Sequence, residues 1–214
     1  MLTLYGCHRS RASRPIWLLH EIGMAFTHVP VIQAYRLPDP MAKDAPLHTA
    51  SDSFLAINPQ GQIPAMTEGD LVLTESLAIC LHIARAHGGT LAPHGLAEQA
   101  LTDQWALFAA TGIEAAALAI LYADPATPEG AEVIEMEAEK LLRPFERLDD
   151  HLTGRAWLLD RFTVADIMVA EIVRYAQGHA PLMQSHPAIA AWMSRCQSRP
   201  AFKAMWAARL AEPA

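Results

Sequence analysis

Strand-forming segments are confined to the first part of this chain, and beyond them every periodic segment has helical spacing. The change falls at His87-Gly88-Gly89 and Ala92-Pro93-His94-Gly95, where turn residues replace periodic ones. A chain of 214 residues split in this way predicts two domains with different architectures, not one sheet sandwich or one bundle. The expected boundaries are 1–86 for an α/β domain, 87–95 for a linker and 96–214 for an all-helical domain.

In the first part, Leu2 to Tyr5 reads as a short buried strand. Residues 14–22 read as a helix with Ile16, Leu19 and Ile22 on one face, closed by Gly23. Residues 26–32 read as a second strand. Residues 34–53 carry three prolines and few large apolar side chains, so they read as a loop with at most one short irregular helix. Residues 63–67 and 71–74 flank Glu68-Gly69-Asp70 and predict an antiparallel hairpin. A helix over 75–86 follows. The order is strand-helix-strand, loop, strand-strand-helix.

In the second part, helical periodicity runs through 98–122, 129–152, 163–178, 187–197 and 200–210. Val133, Met136, Leu141, Phe145, Leu148 and Leu152 form one broad apolar stripe. Phe162-Thr163-Val164-Ala165-Asp166-Ile167 places a Thr cap before an acid at N3, with apolar residues at N′ and N4. That is a capping box joined to a hydrophobic staple, a structural signal for a buried helix starting at Val164.

The bulk numbers exclude several classes. With 52% hydrophobic and 18% charged residues the chain is globular. A formal net charge of -7 argues against nucleic acid as a partner. No apolar run approaches the ~18 residues of a membrane span, and no membrane partner is expected. The start, Met-Leu-Thr-Leu-Tyr-Gly, is strand-like and lacks the parts of a signal peptide. Cys7, Cys80 and Cys196 form no CxxC pair, which points to a reducing compartment and a cytoplasmic location. Ten histidines show no HExxH and no Cys/His cluster, so no metal is expected.

Two local features carry chemistry. Ile63-Pro64 stands like the start of a strand, where proline is tolerated because it donates no ladder hydrogen bond. If that bond is cis, the backbone of Ile63 turns outward and can pair with the backbone of a small peptide. Glu75-Ser76 stands at a helix start. Its carboxylate suits an ammonium group, and its hydroxyl and free N–H groups suit a carboxylate. Together they describe a site for an amino acid joined to a peptide, with both charges of the free end bound.

In this order, the parts resemble the cytosolic glutathione transferase family: a thioredoxin-like first domain (βαβ-ββα), then an all-helical domain. The resemblance rests on residues 4–23, the run Asn-Pro-Gln-Gly-Gln-Ile-Pro-Ala-Met at 58–66, residues 71–83 and residues 162–166. It implies a bacterial, serine-type member, a cytoplasmic homodimer in detoxification, with glutathione as co-substrate and a small apolar electrophile bound between the domains. Ile63 is then implied to pair with the cysteinyl part of glutathione. Glu75 takes the γ-glutamyl ammonium and Ser76 its carboxylate. Gln62 falls where the family often has a lysine near the glycyl carboxylate, a neutral amide in place of a charge.

Conjugation needs the thiolate, because that is the nucleophile. Three residues between the first strand and first helix are candidates to act on it: Tyr5, Cys7 and Ser10. Pro15 must lie in the first helical turn, so Ser10 falls just before the helix N-terminus. Ser10 is favoured. Tyr5 stands where tyrosine-type members carry their catalytic residue. Cys7-His8-Arg9-Ser10 resembles a monothiol glutaredoxin motif and supports a rival reading, a glutathione-dependent reductase or isomerase using Cys7. A binding module without catalysis is the non-enzymatic rival. Arg9, Arg11 and Arg14 are open between solvent, ligand carboxylates and a dimer partner. Trp105, on the first long helix, reads as core ahead of substrate contact.

Overall fold

The computed structural model describes residues 1–212. In chain order the elements are β1 (Leu2–Tyr5), α1 (Ser13–Ile22), β2 (Thr27–Val29), α2 (Asp52–Leu55), β3 (Ala65–Glu68), β4 (Leu71–Thr74), α3 (Ser76–His87), α4 (Gly95–Gly112), α5 (Glu114–Tyr122), α6 (Pro128–Leu152), α7 (Val164–Val173), α8 (Ala180–Ser185), α9 (Pro187–Ser198) and α10 (Pro200–Ala211). Short 3-10 turns follow β2, α3 and α7.

The first unit holds a four-stranded sheet of order β2-β1-β3-β4. β1 and β2 run parallel, joined by the α1 crossover; β1 with β3 and β3 with β4 run antiparallel. This is the thioredoxin-like arrangement expected. β2 is shorter than the predicted 26–32, because Pro30 brings no N–H and ends the ladder. Beyond it the chain still bonds Gly6 through Val31. Gly23 closes α1 in the left-handed region, at φ 66.

α1 buries more than the stripe of Ile16, Leu19 and Ile22 that its sequence suggests. Trp17 and Leu18 are also fully buried. The reason is α10, which packs on α1 and covers a second face. The rings of Trp17 and Phe202 meet edge to face at 5.0 Å, and Met205 is fully buried. The segment from Pro200 therefore groups with residues 1–89, not with the helical domain expected to run from 96 to 214. Helical periodicity shows that 200–210 is a helix but not which core it joins. Burial of such side chains contributes about 1.5–3 kcal/mol each. That outweighs surface ion pairs at ~0–1 kcal/mol, so apolar packing holds α10 in place.

The second unit, Thr90–Arg199, is helical throughout. Leu141, Phe145, Leu148 and Leu152 of the α6 stripe are buried, whereas Met136 is 48% exposed. The predicted helix over 98–122 is two helices, α4 and α5, bent by 46° at Ile113, next to Gly112. α8 escapes prediction because six residues are too few to show a period. The start of the unit, within the segment 87–95 expected as a linker, is held by Arg161. Its guanidinium donates to the carbonyls of Thr90 (3.1 Å) and Ala92 (2.7 Å) and grips both oxygens of Glu98 (2.8 and 2.9 Å). Among the described residues no single helix is long and apolar enough to cross a membrane.

The capping box is present at α7. Thr163 and Asp166 cap each other's backbone N–H groups, and Asp166 is completely buried. Asp166 Oδ1 also accepts from the Leu158 N–H (3.0 Å) and the Trp192 indole (2.9 Å). Trp105 is buried against Phe108 and His151, in agreement with the core reading.

Candidate glutathione site

Gly6 leaves β1 at φ +147, a conformation that a side chain opposes. A Cβ there would stand 2.8 Å from that of Ala12, 3.6 Å from the Ile63 Cβ and 3.7 Å from the Pro64 Cα. Glycine thus lets the loop after β1 approach the Ile63-Pro64 turn closely. The Ile63-Pro64 bond is cis. Pro64 sits one residue before β3, outside the ladder, and the backbone of Ile63 forms no hydrogen bond to another backbone group among the described residues. Buried Asn58 braces the turn: its Nδ2 donates to the Gln62 carbonyl (2.7 Å) and its Oδ1 accepts from the Gln60 N–H (3.2 Å). The Gln62 side chain is exposed.

Ser10 lies half-buried ahead of α1, where Pro15 placed it. Its hydroxyl donates to the Cys7 carbonyl (2.7 Å) and accepts from the Ala12 N–H (3.0 Å). The rotor can leave the carbonyl for a better acceptor. Cys7 is only 4% exposed. Burial first, then the Glu212 carboxylate, pushes its thiol up, the opposite of what a reactive thiolate needs. Tyr5 turns to the other face of β1, into a small core with Val31, Phe54 and Ala65, 6.4 Å from the Phe54 ring.

Glu75 is the one non-glycine residue at positive φ among those described, at φ 65 and ψ 111, immediately before α3. Its carboxylate is exposed and caps nothing. Ser76 is buried, and its Oγ accepts from Arg14 Nη1 at 2.9 Å. Arg14, left open by the sequence, is 1% exposed. Its guanidinium and the N-terminus of α3 both favour an anion at Ser76.

Glu212 is a residue that sequence reading missed, because its partners lie near the other end of the chain. Its carboxylate accepts from the His8 N–H (2.7 Å) and the Arg9 N–H (2.9 Å), and His8 Nδ1 stands 2.8 Å away. Arg209 adds a guanidinium contact to the His8 carbonyl. The C-terminal segment therefore grips the loop that carries Ser10. Burial pushes the Glu212 carboxyl up, but the hydrogen bonds from His8 and Arg9 outweigh it and hold it down at about 2. A depressed carboxyl contributes stability above its unfolded value and loses it as pH falls toward the folded one. Glu212→Gln is accordingly expected to cost stability at pH 6. The gap to the parent should shrink between about pH 4.5 and 2 in acid-unfolding curves; a gap independent of pH would show that the grip is not electrostatic.

Sheet, helices and the turn at Ile63-Pro64 define a thioredoxin-like domain followed by a helical one. Family models described as "Glutathione S-transferase, N-terminal domain" and "Glutathione S-transferase, C-terminal domain" match residues 4–91 and 108–200. Glutathione S-transferase 3 of Zea mays is 31% identical, over 94% of this chain and 91% of its own. The structure of glutathione transferase F7 from Populus trichocarpa superposes with a TM-score of 0.79 at 29% identity, covering 98% of this chain and 99% of that one. A glutathione S-transferase-I bound with lactoylglutathione also scores 0.79, at 28% identity, covering 97% and 99%. The chain belongs to the glutathione S-transferase family.

Proposed function

We propose that this glutathione S-transferase is of the serine type and joins the sulfur of glutathione to an electrophilic carbon of a small apolar substrate. Ile63 pairs by backbone with the cysteinyl part. Glu75 takes the γ-glutamyl ammonium, and Ser76 with Arg14 takes its carboxylate. Gln62 lies beside the glycyl end. The thiol proton passes to solvent, Ser10 turns its O–H from the Cys7 carbonyl to the thiolate sulfur left behind, and that sulfur attacks carbon as the leaving group departs with the bonding electrons. A cytoplasmic homodimer is part of the same reading, on kinship; light scattering at micromolar concentration tests it.

Magnitudes favour a hydroxyl donor. Bringing a thiol from pKa ~8.5 to below 7 takes about 2 kcal/mol. A helix N-terminus supplies ~0.3–1 kcal/mol, so it needs a direct hydrogen bond beside it.

The observation that carries the reading is the backbone of Glu75. Its left-handed conformation costs ~1–3 kcal/mol, and its side chain returns no cap bond. Contact with a ligand's ammonium accounts for a carboxylate held there. Glu75→Ala is expected to weaken glutathione binding by about 2 kcal/mol, roughly 30-fold, in calorimetry. Equal affinity for both proteins would overturn the assignment. Turnover of an aryl halide but not of hydroxyethyl disulfide would separate conjugation from the Cys7 reductase reading.

A further inference from the structure

The far end of α3, away from Glu75, holds a second cluster of polar side chains. Glu68 is the last residue of β3. The two-residue period of a strand puts it on the same face as buried Met66. His82 and His87, on α3, both reach it. His82 Nε2 stands 2.9 Å from Glu68 Oε2, and His87 Nε2 stands 2.7 Å from Oε1. The two rings are edge to face at 6.4 Å. One ligand atom from each residue falls within 4.8 Å of the other two. Twelve helical residues at ~1.5 Å each place His87 roughly 18 Å from Glu75, clear of the glutathione site.

We propose that Glu68, His82 and His87 bind a divalent transition-metal ion, zinc being the one their chemistry fits best. Two imidazoles and a carboxylate suit zinc, whereas magnesium and calcium prefer oxygen sets. Bonds of ~2.0–2.2 Å in a tetrahedron hold ligand atoms about 3.3–3.5 Å apart. The two His–Glu spacings, 2.9 and 2.7 Å, are about half an ångström shorter than that, and all three ligand atoms lie within 4.8 Å of one another, so side-chain movements of that size admit the ion. Water takes the fourth position, since the cluster is partly exposed. The ion ties the end of the β3–β4 hairpin to the end of α3 and stabilises the fold by binding it alone. No sequence motif announces the site, because Glu68 lies 14 and 19 residues from its partners.

The test is zinc and cobalt titration of the full chain after chelator treatment. One equivalent of zinc is expected to bind and raise the melting temperature, and cobalt to give tetrahedral absorption bands. Glu68→Gln, His82→Ala and His87→Ala should each weaken binding beyond the roughly 10–100-fold typical of outer-sphere changes. Each should abolish the thermal shift and leave glutathione affinity intact. His179→Ala, at another His–Glu pair, should bind zinc like the parent. Failure of the parent to hold zinc, or undiminished binding by all three variants, would overturn the site.

Discussion

Asp166→Ala is expected to lose about 3–6 kcal/mol of stability. Three buried donors, the N–H groups of Leu158 and Thr163 and the Trp192 indole, aim at this carboxylate. Each left unsatisfied costs ~1–3 kcal/mol, with some relief from relaxation. Against a total of about 5–15 kcal/mol the change is large. The melting temperature should fall by roughly 10 °C or more. Asp166→Asn should be milder. Its oxygen can serve Leu158 and Trp192, but its amide meets the Thr163 N–H donor to donor.

The pH dependence identifies the carboxyl itself. Burial pushes Asp166 up to about 6, against the hydrogen bonds it accepts. A folded pKa above the unfolded one means that protonation favours the fold. That contribution is full below about pH 4 and is lost as pH rises through about 6. The stability gap between the parent and Asp166→Asn should therefore widen as pH falls from 7 to 5. Equal urea midpoints for the parent and Asp166→Ala would mean that the box caps nothing of consequence.

Ser10→Ala is expected to separate binding from activation. It removes one hydroxyl and leaves the contacts proposed for Ile63, Glu75 and Ser76. Glutathione should bind nearly as before while the pKa of the bound thiol rises toward ~8.5. Each unit of that rise is ~1.4 kcal/mol of lost preference for the thiolate. At neutral pH the ionised fraction drops to a few per cent, so turnover should fall roughly tenfold or more and recover partly in alkali. Tyr5→Phe should titrate like the parent, because Tyr5 packs against Phe54. Cys7→Ala should as well, because Cys7 is buried with a raised pKa. The readout is thiolate absorbance of the complex against pH. A parent-like curve for Ser10→Ala with a displaced curve for Tyr5→Phe would move the role to the tyrosine.

What was legible in the sequence is what is decided within a few residues. Gly23 ends α1, Pro15 fixes where α1 begins, Thr163 and Asp166 cap α7, and the Gly69 turn joins β3 to β4. Each is a backbone requirement met by a near neighbour. The proposals for Ile63, Glu75 and Ser76 rest on turn and helix-start chemistry, which is equally local, whereas Gln62 comes from the family resemblance alone and Ser10 from Pro15 together with that resemblance. Arg14 could not be placed, since its partner Ser76 lies on another helix. Arg161 and Glu212 act on backbone far away in the chain, and no local pattern records them. Glu75's positive φ was equally invisible, as glutamate is no signal for that conformation. The helix at 200–210 was legible and its home was not.

That home has a consequence for the order in which the protein is made. The first unit is discontinuous: it opens with β1 and closes only with α10. The helical unit between them is one uninterrupted stretch. At roughly 5–20 residues per second, its 110 residues occupy the ribosome for about 5–20 s. Throughout that interval the nascent sheet domain lacks the helix that covers Trp17, and the loop bearing Ser10 lacks Glu212. The unit that is begun first is thus completed only after the helical unit has been made, and the loop bearing Ser10 gains its contacts to Glu212 only once α10 has followed.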